Sequence, residues 1–232
     1  MNIIAIIPAR SGSKGIIDKN IKIYKKYPLI YHSINIAKKC KYINEIIVST
    51  DSEEYKQIAE KYGAIVPYIR PKSISDDLST DYEFVKYHLD WCKLNNKKIP
   101  DLLVQLRPTY PNRNISHLNN SIEIMIKNYN DYDSLRSVIK FEKSPFKMYL
   151  INENKLEPLF NVINNIREPY NKCRQILPQT YLHNGYIDII KSSTIINKKT
   201  ITGDKIYPYL MDTKEDCDID TNDDWEKSLI NQ

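Results

Sequence analysis

The amino-acid sequence predicts an α/β fold, a doubly wound and mostly parallel sheet with helices on both faces. Two observations lead to this prediction. The apolar runs 3–7 and 46–48 are rich in β-branched residues and lack polar alternation, which is typical of strands buried on both faces. Helical patterns separate such runs, and alternation of strand, helix and strand favours a parallel sheet. The chain has 232 residues, so we expect a single domain over 1–232.

The predicted elements follow one another along the chain. We predict strands at 3–7, 45–50, 64–69, 102–106, 134–141, 183–190 and 205–211. We predict helices at 28–40, from 52 to 62, at 80–95, at 115–129 and after residue 221. Pro28 suits a first helical position, Gly63 suits a helix end, and Thr221 to Asp224 form a capping-box pattern.

The segment from Glu142 to Tyr181 does not fit this alternation. Four prolines are scattered through it among asparagine-rich turns, and it has no long hydrophobic period. Proline and asparagine interrupt regular structure. We therefore expect short strands and loops that leave the sheet.

Composition restricts the class of partner. The net charge is +5, and 34 basic residues are interspersed with 29 acidic ones. A nucleic-acid interface would cluster its basic residues, so we expect no nucleic acid and an anionic small molecule instead. The four cysteines have no metal-ligand spacing. No apolar run approaches 18 residues and no signal-like segment is present, so we expect a cytoplasmic protein with no membrane association.

The loop after the first strand is the strongest candidate site. It contains Arg10, Ser11, Gly12, Ser13, Lys14, Gly15, Lys19 and Asn20. Glycines let backbone N–H groups approach an anion, and ligands of such sheets bind at the carboxyl ends of the strands. Three cations beside the loop suit a polyphosphate. An ordinary turn with solvated lysines is the alternative, because neither of the common glycine-rich phosphate motifs is present.

Six segments resemble the acylneuraminate cytidylyltransferases, the CMP-sialic acid synthetase family. They are PARSGSKG with KN at 8–20, STDS at 49–52, RP with Asp77 at 70–77, LRPTYPNR at 106–113, RQILPQTY with NG at 174–185, and DIDT at 218–221. The resemblance covers nearly the whole chain. It implies a Rossmann-like nucleotidyltransferase fold and transfer of CMP from CTP to the anomeric hydroxyl of a nonulosonic acid, with release of pyrophosphate. It also implies Mg²⁺, CTP and an acidic sugar as ligands, a homodimer, and a dimerisation arm inserted at about 142–183.

The resemblance also implies roles for individual residues. The catalytic residues are Arg10, Lys14 and Lys19. The nucleotide-binding residues are Ser11, Gly12, Ser13, Asn20, Arg70, Asp77 and Ser79. For the acceptor substrate the resemblance implies Lys147, Arg174, Gln179 and Tyr181, and the position of Arg107 at the end of a predicted strand adds that residue to them. The metal ligands are Asp218 and Asp220, which share one face of an extended segment and offer the oxygen ligands that Mg²⁺ takes. Capping of the last helix by Asp220 and core packing of Tyr181 are the structural alternatives.

Four departures from the family pattern affect the acceptor. Arg107 stands where the family has glutamine, Tyr110 and Asn112 replace its serine and leucine, and Asp81 stands where it often has serine. An arginine at the end of a buried strand seeks a carboxylate or phosphate, and this favours a role in acceptor choice. Alternatively, Arg107 pairs with Asp77 or Asp81 and only holds the loop. An enzyme for another acidic sugar such as Kdo and a non-catalytic nucleotide-binding protein are the competing functions.

Overall fold

One six-stranded sheet forms the centre of the computed structural model, which describes residues 1–215 and 217–230. Its strands are β1 (Ile3–Pro8), β2 (Glu45–Ser49), β3 (Leu102–Gln105), β4 (Ser134–Phe141), β5 (Thr180–Lys191) and β6 (Ile206–Met211). Their order across the sheet is β6-β4-β5-β3-β1-β2. All neighbouring pairs are parallel except those made by β5, which runs antiparallel to both β3 and β4. The predicted fold class is confirmed.

Helices cover both faces of this sheet. They are α1 (Leu29–Lys39), α2 (Glu53–Lys61), α3 (Asp81–Leu94), α4 (Ile115–Lys127) and α5 (Asn222–Ile230). Successive side chains of a strand point to opposite faces. Ile3, Ala5 and Ile7 of β1 accordingly join the apolar cluster with α1, α2 and α4, whereas Ile4 and Ile6 join the cluster with α3. The run 3–7 lacks polar alternation because both of its faces are buried.

The strand predicted at 64–69 is wrong. This stretch makes only two isolated parallel bridges to the edge of the sheet, Ile47 with Ile65 and Thr50 with Ile69. Pro67 lies between the bridges and has no N–H to donate to a ladder. The other predicted elements are present, the strand at 134–141 with the predicted bounds and the rest with bounds shifted by up to three residues. Pro28 precedes α1 as its N-cap, and β5 begins three residues earlier than predicted.

The segment between β4 and β5 leaves the sheet. It contains two small antiparallel hairpins, Tyr149–Asn152 with Lys155–Pro158 and Val162–Ile163 with Ile166–Arg167. Single 3-10 turns occur at Pro145–Lys147, Pro169–Asn171 and Arg174–Ile176. Its exposed apolar side chains include Leu150, Ile151, Leu156 and Val162.

The remaining elements are short. Ile23–Tyr24 pairs with Tyr27–Pro28, 3-10 turns occur at Lys72–Ile74 and Thr213–Glu215, and a π-helical turn occurs at Thr194–Lys198. Among residues 1–215 and 217–230, no helix is long and apolar enough to span a bilayer.

Candidate nucleotidyl-transfer site

A cavity of about 370 Å³ lies at the carboxyl ends of β1 and β3. Three parts of the chain contribute most of its polar lining, and Asp220 borders it as well. The loop after β1 contributes Arg10, Ser13, Lys14, Gly15, Lys19 and Asn20; the connection into α3 contributes Arg70, Ser79 and Asp81; the loop after β3 contributes Arg107 and Thr109. The structure therefore brings together nine of the seventeen residues that were assigned a site role from the sequence.

The loop after β1 is shaped by contacts to its own backbone. The Ser11 backbone N–H and hydroxyl both donate to the carboxylate of Asp51, each at 2.8 Å. The buried Asn20 side chain donates to the Arg10 carbonyl oxygen at 2.9 Å. Gly12 has φ +71°, a conformation that glycine adopts without strain. Ser11 and Gly12 do not line the cavity; they set the path of the loop, and Ser13 to Gly15 face the cavity.

The same loop packs directly against the acidic segment near the C-terminus. A Cβ on Gly15 would lie 2.6 Å from the backbone carbonyl oxygen of Asp220, so only glycine fits there. The Lys19 ammonium donates to the Ile219 carbonyl oxygen at 2.9 Å and to the Asp220 carboxylate at 2.8 Å. The Ile219 backbone N–H in turn donates to the Thr109 carbonyl oxygen at 3.0 Å. These bonds fix Lys19 at the junction of three segments.

Asp77 bridges two of the cations. Arg10 Nη2 donates to Asp77 Oδ1 at 2.8 Å, and the Lys14 ammonium pairs with the other carboxylate oxygen. These hydrogen bonds, first from Lys14 and then from Arg10, lower the pKa of Asp77 below its usual value. The Lys14 side chain is 81% exposed. A protein carboxylate thus lies where two phosphate-binding cations were predicted.

Arg70 is a buried donor at the cavity wall. It is 4% exposed, and its Nε donates to the Ser75 hydroxyl at 3.0 Å. Its buried Nη2 has no hydrogen-bond partner within the described part of the chain. Burial lowers the pKa of this guanidinium. A buried donor without a partner carries a desolvation penalty that a ligand acceptor relieves.

Arg107 lies between two carboxylates. Its Nη1 donates to Asp188 Oδ2 at 2.6 Å and to the Gly185 carbonyl oxygen at 3.1 Å, and its Nη2 donates to Asp81 Oδ2 at 2.5 Å. Burial opposes the charge of Arg107, but Asp188 and then Asp81 outweigh it and raise its pKa. The pairing with Asp81 is the structural alternative that the sequence left open, and Asp188 is a partner that no motif predicted.

Three residues without a predicted role position this site. Arg113 is 7% exposed, and its guanidinium donates to the carbonyl oxygens of Arg107, Tyr110 and Tyr186 at 2.7–2.9 Å. It therefore organises the loop that carries Arg107. Asp51 organises the loop after β1, and Asp188 anchors Arg107. Asp51 and Arg113 lie inside motifs quoted above, and Asp188 is the charged residue within the otherwise apolar and aromatic run 186–190.

The remaining predicted residues lie outside the cavity lining. Asp218 is half-buried, two residues before Asp220. The predicted acceptor residues Lys147, Arg174, Gln179 and Tyr181 are exposed side chains on, or at the end of, the segment that leaves the sheet. Arg174 pairs with Glu142 at 2.8 Å, and Arg174 and Gln179 border a different cavity of about 490 Å³.

Metal-binding side chains among the described residues do not form a complete cluster by themselves. Within residues 1–215 and 217–230, no group of three or more His, Cys, Asp or Glu side chains is arranged to hold a metal ion. A cation at Asp218 and Asp220 would therefore need further ligands, such as substrate oxygens and water.

Comparison with known proteins identifies the class. Residues 4–156 match a family described as cytidylyltransferase, and the chain belongs to this family. It is 30% identical over 232 residues to the N-acylneuraminate cytidylyltransferase of Escherichia coli O18:K1:H7, covering 99% of this chain and 52% of that protein. It is also 30% identical over 230 residues to the pseudaminic acid cytidylyltransferase of Campylobacter jejuni, covering 99% and 96%. The chain thus spans about half the length of the N-acylneuraminate enzymes that it matches.

A solved structure supports the fold independently. A CMP:2-keto-3-deoxy-manno-octonic acid synthetase complexed with CTP superposes with a TM-score of 0.69 at 14% identity. The match covers 99% of this chain and 98% of that one. The likeness therefore extends over the whole sheet and its helices.

Proposed function

We propose that the protein transfers CMP from CTP to the anomeric hydroxyl of a sialic-acid-like nonulosonic acid and releases pyrophosphate. The observation that carries this proposal is the convergence of Arg10, Lys14, Lys19 and Arg107 on one cavity at the carboxyl edge of the sheet. The pseudaminic acid cytidylyltransferase relative, which this chain matches over nearly its full length, supports an acidic nine-carbon sugar as the acceptor.

The proposed reaction is a displacement at the α-phosphorus of CTP. The anomeric hydroxyl oxygen forms a bond to that phosphorus and its proton passes to the solvent. The bond to the bridging oxygen of the β-phosphate breaks, and pyrophosphate leaves with the electron pair. Catalysis of this class consists of positioning and of neutralising charge on the phosphates. Lys19, fixed by its two hydrogen bonds, is a preorganised cation for the leaving group. Arg10 and Lys14 exchange the carboxylate of Asp77 for phosphate oxygens.

The nucleoside occupies the other wall of the cavity in this proposal. Arg70 has a buried donor for a base or ribose oxygen, and Asn20 and Ser79 line the cavity nearby. Ser13 and the backbone around Gly15 face the phosphates. Ser11 and Gly12 contribute through the shape of the loop.

Mg²⁺ is the cofactor that this site suits. Asp218 and Asp220 are two residues apart in a segment without regular secondary structure, and Asp220 pairs with Lys19. Carboxylates with phosphate oxygens and waters are the ligands that Mg²⁺ takes. We propose that these two residues hold the ion. When bound, it supplies positive charge to the phosphates.

In a homodimer, the exposed residues of the segment between β4 and β5 could act at the site of the other subunit. Lys147, Arg174, Gln179 and Tyr181 lie outside the cavity of their own chain, and the segment exposes several large apolar side chains. We propose that this segment is a dimerisation arm and that these four residues act at the acceptor site of a second copy.

Pyrophosphate release is the experiment that tests the proposal. We expect release from CTP with at least one nonulosonic acid, much less with UTP, ATP or GTP, and none in excess EDTA. Asp220→Asn should raise the Mg²⁺ concentration needed for half-maximal rate, while an exposed control, Asp90→Asn, should not. Binding of CTP without pyrophosphate release from any acidic sugar would identify a non-catalytic nucleotide-binding protein. Turnover with Kdo alone would reassign the acceptor.

A further inference from the structure

The guanidinium of Arg107 has one edge held inside the protein and one edge at the cavity. On the inner edge, Nη1 donates its two hydrogens to Asp188 and to the Gly185 carbonyl oxygen. On the outer edge, Nη2 donates to Asp81. The Arg107 side chain is 23% exposed and lines the cavity. The two carboxylates on Arg107 therefore have different surroundings.

Asp188 is a fixed partner. It lies on β5 with its side chain 4% exposed, and its Oδ1 also pairs with His183 Nε2 at 2.8 Å. Burial raises the pKa of Asp188, but the hydrogen bond from His183 and the charge of Arg107 outweigh burial, so the net pKa is low and the group is ionised. Separating a buried carboxylate from its partners is strongly unfavourable. Asp188 therefore holds Arg107 toward the cavity whatever happens on the outer edge.

Asp81 is an exchangeable partner. It is the first residue of α3 with its side chain 35% exposed, and it lines the same cavity as Arg107. Ion pairs at this degree of exposure contribute little free energy. A carboxylate in the first turn of a helix is stabilised by the helix dipole. Asp81 would therefore keep a favourable position after leaving Arg107.

The charges around Arg107 determine what happens when a substrate carboxylate replaces Asp81. Asp81 and Asp188 both pair with Arg107, and Arg136 Nε lies 3.7 Å from Asp188; the charge of Asp81 also acts on Arg70. A substrate carboxylate arriving at the outer edge of Arg107 would lie beside the Asp81 carboxylate, which already accepts from that edge. The added charge is accommodated if Asp81 moves from the guanidinium toward water.

We propose that the acceptor's carboxylate exchanges with Asp81 on the outer edge of Arg107. Arg107 is then the residue that selects an acidic acceptor, and Asp81 is an internal competitor that tunes the acceptor affinity. Asp188 is the positioning residue that makes the exchange possible. This inference rests on the proposed function and assigns one group of its acceptor to one side chain.

Acceptor kinetics test this exchange. The assay compares the acidic sugar that gives the highest rate with its carboxyl methyl ester, at saturating CTP. Asp81→Asn and Asp81→Ser should each lower KM for the acid by about two- to fivefold, as expected when a partly exposed ion pair stops competing. KM for the ester should not change. Asp90→Asn, at the far end of α3, is the matched control.

A double-mutant cycle separates competition from a structural clamp. In an Arg107→Gln background, the effect of Asp81→Asn on the acid should disappear, because the shared partner is gone. A lower melting temperature with unchanged acceptor KM, or equal changes for acid and ester, would overturn the exchange while leaving the proposed function intact. Absence of wild-type turnover with every acidic sugar would instead remove the proposed function and this inference with it.

Discussion

The two ends of the cavity neutralise their cations in different ways. At the loop after β1, Arg10 and Lys14 pair with Asp77, and all three side chains are at least 34% exposed. At the loop after β3, Arg107 pairs with Asp188, which is 4% exposed. Exposed pairs are weak and screened, whereas a buried charge cannot lose its partner without a large penalty. The first arrangement suits exchange of protein carboxylate for substrate, and the second suits holding a guanidinium in place.

Substitution of Lys19 should have the largest effect on turnover, because this cation lies in the loop after β1 and yet is largely buried, as Asp188 is at the other end. The Lys19 side chain is 13% exposed and fixed by Ile219 and Asp220. Losing a preorganised electrostatic stabiliser lowers the rate about 10²- to 10³-fold, so we expect Lys19→Ala to lower kcat/KM for CTP by this factor. Lys14→Ala should cost less, because its ammonium is 81% exposed. Pyrophosphate release measures both.

The control for this ranking is Lys26→Ala, an exposed lysine further along the chain. It should retain wild-type kcat/KM, and all three variants should retain the wild-type far-UV circular dichroism. Equal losses in Lys19→Ala and Lys14→Ala would contradict the ranking and place the two ammonium groups in equivalent roles.

Asp188→Asn should have the largest effect on stability. An asparagine leaves Arg107 buried beside a neutral amide, and breaking a buried pair typically costs 3–5 kcal/mol. Since Arg107 keeps Asp81, we expect a loss of about 3 kcal/mol in the free energy of unfolding, measured by urea denaturation. Asp77→Asn is the exposed counterpart and should leave the urea midpoint unchanged. Equal midpoints for Asp188→Asn and the wild type would show that burial does not distinguish the two pairs.

The same contrast predicts a pH dependence. Because the pKa of Asp188 is lower in the folded protein, the unfolded chain takes up a proton first as the solution is acidified. The stabilisation from this group is therefore complete above the ordinary Asp pKa of about 3.9 and is lost as pH falls through the lower folded value. The difference in unfolding free energy between wild type and Asp188→Asn should shrink across that window. A difference that does not vary with pH would argue against an ionised Asp188.

The sequence predicted the parts of this arrangement that local pattern encodes. The buried run at 3–7, the loop after it and the helix caps each depend on residues close together in the chain, so their residue types sufficed. The stretch 64–69 has strand-like residues, but Pro67 and its edge position leave it with isolated bridges. A continuous strand at 64–69 would need a ladder of hydrogen bonds to the edge strand β2, and local sequence pattern does not determine such pairing.

The partners of the site cations depend on contacts between distant segments. Asp188 is 81 residues from Arg107, and Asp220 is 201 residues from Lys19. Motif resemblance placed most of these residues in one site without indicating which carboxylate pairs with which cation. The pairing follows from the antiparallel insertion of β5 between β3 and β4, which sets Asp188 beside Gln105, two residues before Arg107. Only the sheet order, which the sequence pattern left open, fixes that neighbour.

Asp77→Asn should have the smallest effect on catalysis. The sign of its change in KM for CTP distinguishes a nucleotide ligand from a competitor of the phosphates. If Asp77 binds the nucleotide, as the motif resemblance implies, Asp77→Asn should raise KM for CTP. The structure favours the opposite sign, because Asp77 occupies both Arg10 and Lys14 and must leave when phosphate oxygens take its place. We expect KM for CTP to fall about twofold, since exposed pairs are weak.

The decrease in KM for CTP should diminish between 50 mM and 500 mM salt, because ions screen exposed charges. KM for the acceptor should be unchanged in Asp77→Asn, since Arg107 is neutralised separately by Asp81 and Asp188. A rise in KM for CTP at every salt concentration would contradict the competitor role and restore Asp77 as a nucleotide ligand.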